Sequence, residues 1–564
     1  MPTNSSIRRS VLWAAYGDAL GFITELSNES SLLHRTKGKS QVTALIPWVR
    51  RIGGQFGVYV ELPKGCYSDD TQLRLATSRS IRGDGSFDVE TFSKIEIPVW
   101  LSYEFGSGIG TKTAAQSLKR NQVQWNSNFY KSKYAQYIDS GGNGAAMRIQ
   151  PHVWSAPPGK GETAILRDVI RNTITTHGHM RALIGAAFHA LILHGALSRK
   201  EVPDSFQWHH YLEQLTLIPK IIQSDTELTM FWLPNWEQEN NESIEKAVQQ
   251  SIQELRDDIF IAEDYIKKQT AIDERSNSYL QLVERIGCLT KKFVGSAPKT
   301  ALLAAYLSYV FKERPHDGLV QAVNVLGSDT DTIATMAGAI MGAISIVDPP
   351  EKVLDVGYLE KEAERLFELS QGHRTTTYNY PDMLYWRAPV SQIDALGQHE
   401  GKWVLQGLGE LTPLGNPLDK KNKSSIDWQW FKLNFGQTVL IKRRPRVNTI
   451  TEKTLPTKTS VDDTRVKTTE RKELGGNNYY QKYPKQQYGL WDSSDKEVDK
   501  KEELTVDAAA ALAVKSKFKA NTVGALLLQL STQEDGIKKA MSFAEIIAKA
   551  KRARIKKVDT EGNR

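Results

Sequence analysis

Residues 181–197 read RALIGAAFHALILHGAL, and this stretch decides the fold class. Ala182, Gly185, Ala186 and His189 recur at helical spacing, and Leu183, Ala187, Leu191 and His194 fill the positions around them. The segment therefore predicts a helix that is apolar on nearly every side and has to sit inside other helices. Residues 244–268, 279–294 and 299–311 carry the amphipathic version of the same period. Strand alternation is nearly missing from residue 10 to residue 372, so an all-α body is expected there. Residues 197–241 are richer in Trp, Pro and polar side chains and read as a surface excursion or an inserted helical hairpin.

The pattern changes after Gly372, to Tyr, Trp, Pro and Gly with short alternating runs at 402–405 and 430–441. Residues 373–443 read as a small strand-containing extension or buttress. Residues 444–503 are polar and poor in aliphatic side chains, too poor to offset chain entropy by burial, which predicts a flexible linker. Helical periodicity returns in residues 504–564, where VDAAAALAVKSKF, GALLLQL and FAEIIAKAKRARIKK suggest two or three short helices. The expected organisation is thus a helical body over 1–372, followed by the extension, the linker and a basic helical C-terminal segment.

Net charge is unevenly spread along the 564 residues. The chain carries +8, with 27 Lys and Arg against 17 Asp and Glu in residues 441–564, so the basic character lies in the tail while the body is close to neutral. Such a tail suits nucleic acid, an acidic protein or an anionic surface, although a plain solvated face is the commoner reason for such charge. With 2 Cys, neither a disulfide framework nor a four-thiolate metal site is available, which points to a reducing compartment. The first residues lack a secretory pattern and neither apolar stretch runs to about 18 uninterrupted residues. A cytoplasmic protein without a membrane segment is expected.

Two acidic clusters carry the chemistry. Ser68-Asp69-Asp70-Thr71 precedes the helical run QLRLATSRS, and Asp329-Thr330-Asp331-Thr332 precedes IATMAGAIMGA. Either one alone reads as an N-cap, in which hydroxyl or carboxylate oxygens accept from the free N–H groups of a first helical turn. Together they offer four carboxylates with interleaved hydroxyls and neither sulfur nor a histidine pair, a donor set that selects Mg²⁺, with Mn²⁺ as the alternative, over zinc. Carboxylates packed closely repel one another unless one takes a proton or a cation neutralises them. Metal-assisted hydrolysis is the chemistry such a site serves.

Five blocks then fall in one order: Gly17-Asp18-Ala19-Leu20-Gly21 with Glu25, Ser68-Asp69-Asp70-Thr71, Gly142-Asn143-Gly144-Ala145-Ala146-Met147-Arg148 with Pro151, Thr176-His177, and Gly327-Ser328-Asp329-Thr330-Asp331-Thr332. In this the sequence resembles the ADP-ribosylglycohydrolase family, the group related to the dinitrogenase-reductase-activating glycohydrolase, over residues 8–350. It departs at Ser328, where a second glycine is usual. The resemblance implies an all-α fold holding two Mg²⁺ ions beneath the distal ribose of ADP-ribose. It implies metal ligation by Ser68, Asp69, Asp70, Asp329, Asp331 and Thr332, and a role near catalysis for Glu25.

On the residues themselves, the small side chains of Gly142, Asn143, Gly144, Ala145 and Ala146 let backbone approach a diphosphate, or else make a tight turn before a packed helix. His177 is placed to reach substrate, whereas His179, His189 and His194 read as core or capping residues. Arg148 reads either as a phosphate partner or as a buried structural ion pair. Asp69, Asp70, Asp329 and Asp331 are the candidates for metal-linked water activation and Glu25 for handling a proton off the metals. The expected activity is hydrolysis of the glycosidic bond between ADP-ribose and an acceptor, most readily an ADP-ribosylated protein. The alternatives are an ADP-ribose-binding module without catalysis and a hydrolase brought to modified nucleic acid by the tail.

Overall fold

The computed structural model describes residues 2–457 and 504–548, apart from 53–57, 158, 268–271, 384, 419–426, 445, 534–535, 538 and 545. Two compact units emerge, Met1–Ser460 and Val461–Arg564. The larger is a mostly helical body, with one short two-stranded hairpin, joined by a six-stranded sheet.

Helix α1 (Asn4–Gly21) opens the chain, capped by Thr3, which accepts from the Ser6 amide. A hairpin of β1 (Trp48–Ile52) and β2 (Val58–Leu62) follows, then α2 (Asp69–Arg79). The apolar stretch forms α3 (Met180–Arg199), with His179 as its N-cap and Lys200 ending it in the left-handed region. Next come α4 (Ala297–Val310), α5 (Thr330–Ile344) and α6 (Val356–Ser370). Among the described residues α3 alone is long and apolar enough to cross a membrane, but 89% of its apolar window is buried inside the body. It packs against Glu162–Ile174, α4 and α5, as a helix without a polar face must.

The contact that organises the body is between α1 and α5. Gly17 and Gly21 on one helix and Gly338 and Gly342 on the other each sit one turn apart, and the two backbones touch through them. A Cβ at Gly17 would lie 2.3 Å from the Ala334 carbonyl oxygen, and one at Gly338 would lie 2.3 Å from that of Trp13. Gly21 is closer still to the acidic cluster, since a Cβ there would lie 2.4 Å from the Asp331 Cα. The sequence pattern of small residues after Asp331 thus has its counterpart in α1.

Two sequence expectations need correction, and one choice between readings is decided. The hairpin β1–β2 lies inside the stretch expected to lack strands; it is short, and its alternation covers only Trp48 and Ile52 on one strand and Val60 and Leu62 on the other. Of the two readings of residues 197–241 the helical one fits: Ser205–Leu215 and Leu233–Asn240 are helices, and Trp208 and Trp236 on them, with Trp232, are buried in the core rather than spread over the surface. The helix expected over 279–294 runs instead over Ile272–Arg285 and stops before Gly287, whose φ of +82° breaks the helical path.

The strands after residue 372 are β3 (Leu396–His399), β4 (Lys402–Leu405), β5 (Gly409–Leu414), β6 (Asp427–Leu433), β7 (Thr438–Arg443) and β8 (Asn448–Thr449), ordered β7-β6-β5-β4-β3-β8. All neighbours are antiparallel except β3 and β8. Val439 and Ile441 of β7, with Phe431 and Leu433 of β6, form one apolar core with Leu73 of α2 and with Phe92, Ile95 and Trp100. The sheet is therefore built onto the helical body. A buried ion pair marks the seam: Arg79 Nε and Nη2 each donate to a Glu96 carboxylate oxygen at 2.7 Å, with neither side chain exposed, while Tyr380 donates to Glu96 and Arg79 Nη1 donates to Gln437. The chain does not leave the sheet at residue 443, since β8 pairs with β3 and the Thr454 carbonyl accepts from Gly407. Of the expected linker, residues 458–503 lie outside the described residues.

In the second unit α7 (Val506–Lys515) and α8 (Ala520–Ser531) pack with further helical residues between 536 and 548, around Ala509, Ala513, Leu530 and Phe543.

Because the Gly338 Cβ position is filled by backbone, Gly338→Ala should destabilise the protein by about 1–3 kcal/mol or more, read from the urea midpoint. His189 gives a pH signature. Burial, and then Arg74, push its pKa down to about 3, so the unfolded chain takes up a proton that the folded one refuses. Its share of stability is complete above about pH 6.5 and is lost as pH falls toward the folded value. The stability gap between wild type and His189→Gln should accordingly narrow or reverse between pH 7 and pH 4.5 in thermal melts.

Candidate active site

Asp18, in the fourth turn of α1, is fully buried and accepts three hydrogen bonds from the start of α2, from the Ser68 and Thr71 amides at 2.8 Å and from the Thr71 hydroxyl at 2.5 Å. That side chain pins the first acidic cluster to α1. Ser68 is the N-cap of α2; its hydroxyl accepts from the Asp70 amide and donates to Asp70 Oδ2, both at 3.1 Å. Asp69 and Asp70 are left free of capping and project from the first turn.

The second cluster behaves differently. Asp329 occupies the N-cap position of α5 but makes no side-chain cap bond. Its Oδ2 accepts instead from Asn143 Nδ2 at 2.8 Å, and Asn143 also donates to Thr300 Oγ1 at 3.0 Å. Asp331, one position into the first turn, is brought beside α1 by the contact at Gly21. The N-capping reading thus applies to Ser68 and fails for Asp329, whose carboxylate is turned away from its own helix.

Both clusters line one cavity of about 790 Å³. Glu25, Asp69, Asp70, Asp329, Asp331 and Thr332 share it with Gly142, Asn143, Gly144, His177 and Ser328. Ser68, Ala145 and Ala146 do not line it and are fully buried. The Ser68 hydroxyl is engaged with Asp70, and after Gly144 the chain winds into a 3₁₀ turn, Ala146–Arg148, that carries the alanines into the core. Arg148 also stays away from the cavity, so the phosphate reading fails; it is buried as the structural reading expects, but its described partners are the neutral Asn172, Thr176 and Gly144 carbonyl rather than an acidic side chain. His179 caps α3 and His189 is a core residue.

The electrostatics follow from burial. Asp69 is raised well above the usual carboxylate range by loss of solvent, then by Asp70 and Glu25. Asp70 is raised by burial, then by Asp18 and Asp329, and Asp331 by burial, then by Glu25 and Asp70. These carboxylates destabilise one another's charged forms where burial leaves little solvent around each of them. Asp70 Oδ1 is buried with no hydrogen-bond partner, which is costly for a carboxylate oxygen and suits one that meets a cation. Among the described residues no three His, Cys, Asp or Glu side chains close on one point as a ready metal cage. Carboxylate and hydroxyl oxygens are the donors that a hard divalent cation takes. The residues that could hold it are Asp69, Asp70, Asp329, Asp331 and Thr332. His177 is a different kind of group: Nδ1 is 2.7 Å from the Thr176 hydroxyl, and burial, then Arg148, depress the imidazole to about 3, so it is neutral near pH 7.

Sequence reasoning missed several parts of this site. Asp18 lies in a quoted block but carried no assigned role; its signal, a buried acid one turn before a helix C-terminus, has meaning only once α2 is seen beside it. Leu26, Ile109 and Tyr134 stand exposed on the cavity wall; Leu26 and Tyr134 lie on a turn and a bend whose composition has no period to read, and Ile109 opens the helix Ile109–Leu118.

An α-helical body with a carboxylate-walled cavity at two helix starts is the class that this fold and site define. The family model described as ADP-ribosylglycohydrolase matches residues 2–376, so the chain belongs to the ADP-ribosylglycohydrolase family. Among solved structures it is similar to an "ADP-ribosylglycohydrolase-related protein complex", with 20% sequence identity, coverage of 65% of this chain and 98% of that one, and a TM-score of 0.38. No curated protein sequence matches it.

Removing the anchor of the first cluster should separate stability from chemistry poorly. Asp18→Ala leaves the buried Ser68 and Thr71 amides without acceptors and should cost about 3 kcal/mol, given about 1.5–3 kcal/mol for a hydrogen bond to a charged group. Thermal melting checks this, and an unchanged midpoint would contradict the anchoring role.

Proposed function

We propose that this chain is a Mg²⁺-dependent hydrolase that cleaves the glycosidic bond between ADP-ribose and a modified acceptor, releasing ADP-ribose. The observation that carries the reading is the convergence of both acidic clusters and Glu25 on one cavity in a chain of this family. Two ions are proposed, with Mn²⁺ as a substitute. When bound, such ions neutralise the carboxylates and acidify or orient a water and the ribose diol.

The protein's own groups do the rest. Asp69, Asp70, Asp329 and Asp331 supply hard oxygen donors held on two rigid helix starts. Asn143 fixes the rotamer of Asp329 by donating to one of its oxygens. The backbone at Gly142 and Gly144 allows the close approach that a diphosphate requires, and His177 lines the same stretch as a neutral imidazole. Departure of the acceptor from the anomeric carbon builds oxocarbenium character, which an anionic cavity favours. Glu25, on the wall and off the ligand set, is the group proposed to handle the proton. An ADP-ribosylated protein is the proposed substrate and the cytoplasm the proposed setting.

The test is release of free ADP-ribose from a panel of protein and nucleic-acid substrates with different ADP-ribosyl linkages, with Mg²⁺ and with chelator. Activity on at least one linkage, lost on chelation and restored by Mg²⁺ or Mn²⁺, is expected. Asp331→Ala and Asp329→Ala should lower Mg²⁺ affinity by calorimetry and reduce turnover by about 100-fold or more, with the melting temperature little changed. Binding of ADP-ribose without release from any substrate would favour a binding module instead.

A further inference from the structure

Glu25 sits in a turn of residues 22–27 that leaves α1, and its two ends are held by different means. Its backbone is fixed locally: the Glu25 amide donates to the Gly21 carbonyl at 2.9 Å, and Arg35 Nη1 donates to the carbonyls of Ile23 and Glu25, both at 2.8 Å. The carboxylate has one donor among the described residues, Arg50 Nη1, at 2.8 Å from Oε2.

Arg50 comes from β1, on the inward side of the hairpin together with Trp48 and Ile52. Its guanidinium lies over the Phe22 ring, 4.4 Å from the centroid, and 5.9 Å from that of Trp48. Phe22 in turn packs edge-on against Trp48 and stacks on Phe105. The guanidinium is thus clamped between a charge and an aromatic shelf, with side-chain exposure of only 14% for Arg50 and 12% for Glu25. A third element leaves space for the pair: Gly106, at φ +85°, would place a Cβ 3.1 Å from Glu25 Oε2 and 3.3 Å from Arg50 Nη2. Next to Glu25, Leu26 is held at φ +51° with its side chain 80% exposed, a conformation that a non-glycine residue keeps only when its surroundings impose it.

We infer that Arg50 is a positioning residue of the active site: from the β1–β2 hairpin it holds the Glu25 carboxylate against the cavity wall, on the side that faces Asp331 and Asp329. The inference rests on the hydrolase reading for its effect on rate, and on geometry alone for the placement of Glu25. Arg50 touches no reacting atom and acts through Glu25. Lysine would restore the charge but not the flat, two-sided contact with Phe22.

The full-length chain tests it through Arg50→Ala, Arg50→Lys and a control, Arg51→Ala, the exposed neighbour on the same strand. On whichever ADP-ribosyl linkage the wild type cleaves, Arg50→Ala should lower kcat by about tenfold to 100-fold, because a displacement of about 1 Å at a catalytic group costs that much. KM should move by less than about threefold, Arg50→Lys should recover part of the loss, and added guanidinium chloride at millimolar concentration should restore activity to Arg50→Ala alone. Arg51→Ala should match the wild type. A kcat for Arg50→Ala within twofold of wild type overturns the inference, and so does a loss that tracks a collapse of the melting temperature and resists guanidinium. Crystal structures of wild type and Arg50→Ala give a readout independent of turnover. The Glu25 carboxylate should leave the wall or split between conformers in the variant, and superposition on its wild-type position refutes the claim. Should the wild type release no ADP-ribose from any linkage, the hydrolase reading fails while these structures still decide the role of Arg50.

Discussion

The backbone contact between α1 and α5 is the constraint on which the rest of the body depends. Two glycines on each helix remove the side chains that would normally hold such axes about 8–10 Å apart, and the gain is positional. Gly21 lies against the Cα of Asp331, and Asp18, less than a turn earlier, anchors the amides that open α2. One helix therefore sets the location of both acidic clusters. Side chains bend and rotate, whereas two backbones in contact do not, so the relative placement of Asp70 and Asp331 is set by the stiffest parts of the molecule.

That stiffness is matched to an electrostatic arrangement that no isolated protein segment would tolerate. Asp69, Asp70 and Asp331 are all pushed toward protonation by burial and by one another. A flexible site would relieve this repulsion by moving the groups apart. Here the helices prevent it, and the strain persists until a cation or a proton arrives. The Glu25–Arg50 pair shows the alternative solution within the same cavity, a carboxylate balanced by a resident guanidinium at 2.8 Å. Neighbouring acids of one site are thereby given different partners, and different partners suit different tasks.

The sheet has another role. Its inner face is apolar and continuous with α2 and with the helical turn around Phe92, Ile95 and Trp100. Across the seam lie the Arg79–Glu96 pair, Tyr380 and Gln437, and Asp355 accepts from Tyr67 and from Thr438. Buried charge pairs add little net stability against an apolar replacement, but breaking one partner is costly, so they make a single docking geometry strongly preferred. Because α2 carries Asp69 and Asp70 at one end and Arg79 at the other, the sheet braces the far end of the helix that presents the first cluster.

The helical class, the apolar helix of residues 180–199 and the two acidic helix starts were legible from the order of residues alone, because each is a local pattern of about one to five turns. Strands were legible where residues alternate, as at Phe431, Lys432 and Leu433 of β6, and illegible in the β1–β2 hairpin, where a few inward residues do not amount to a period. Residues 197–241 were legible only as one of two readings, and the burial of Trp208, Trp232 and Trp236 chose the helical one, since local polarity does not reveal which side of a helix meets the body. Within the cavity, the sequence by itself determined which oxygen donors exist and at what spacing along the chain. Only the tertiary structure decided that Asn143 turns Asp329 from its own helix, that Ser68, Ala145 and Ala146 stay off the cavity wall, and that Arg50 reaches Glu25 from a hairpin. Each of those depends on contacts between segments far apart in the chain, and such contacts leave no mark in the periodicity of either segment.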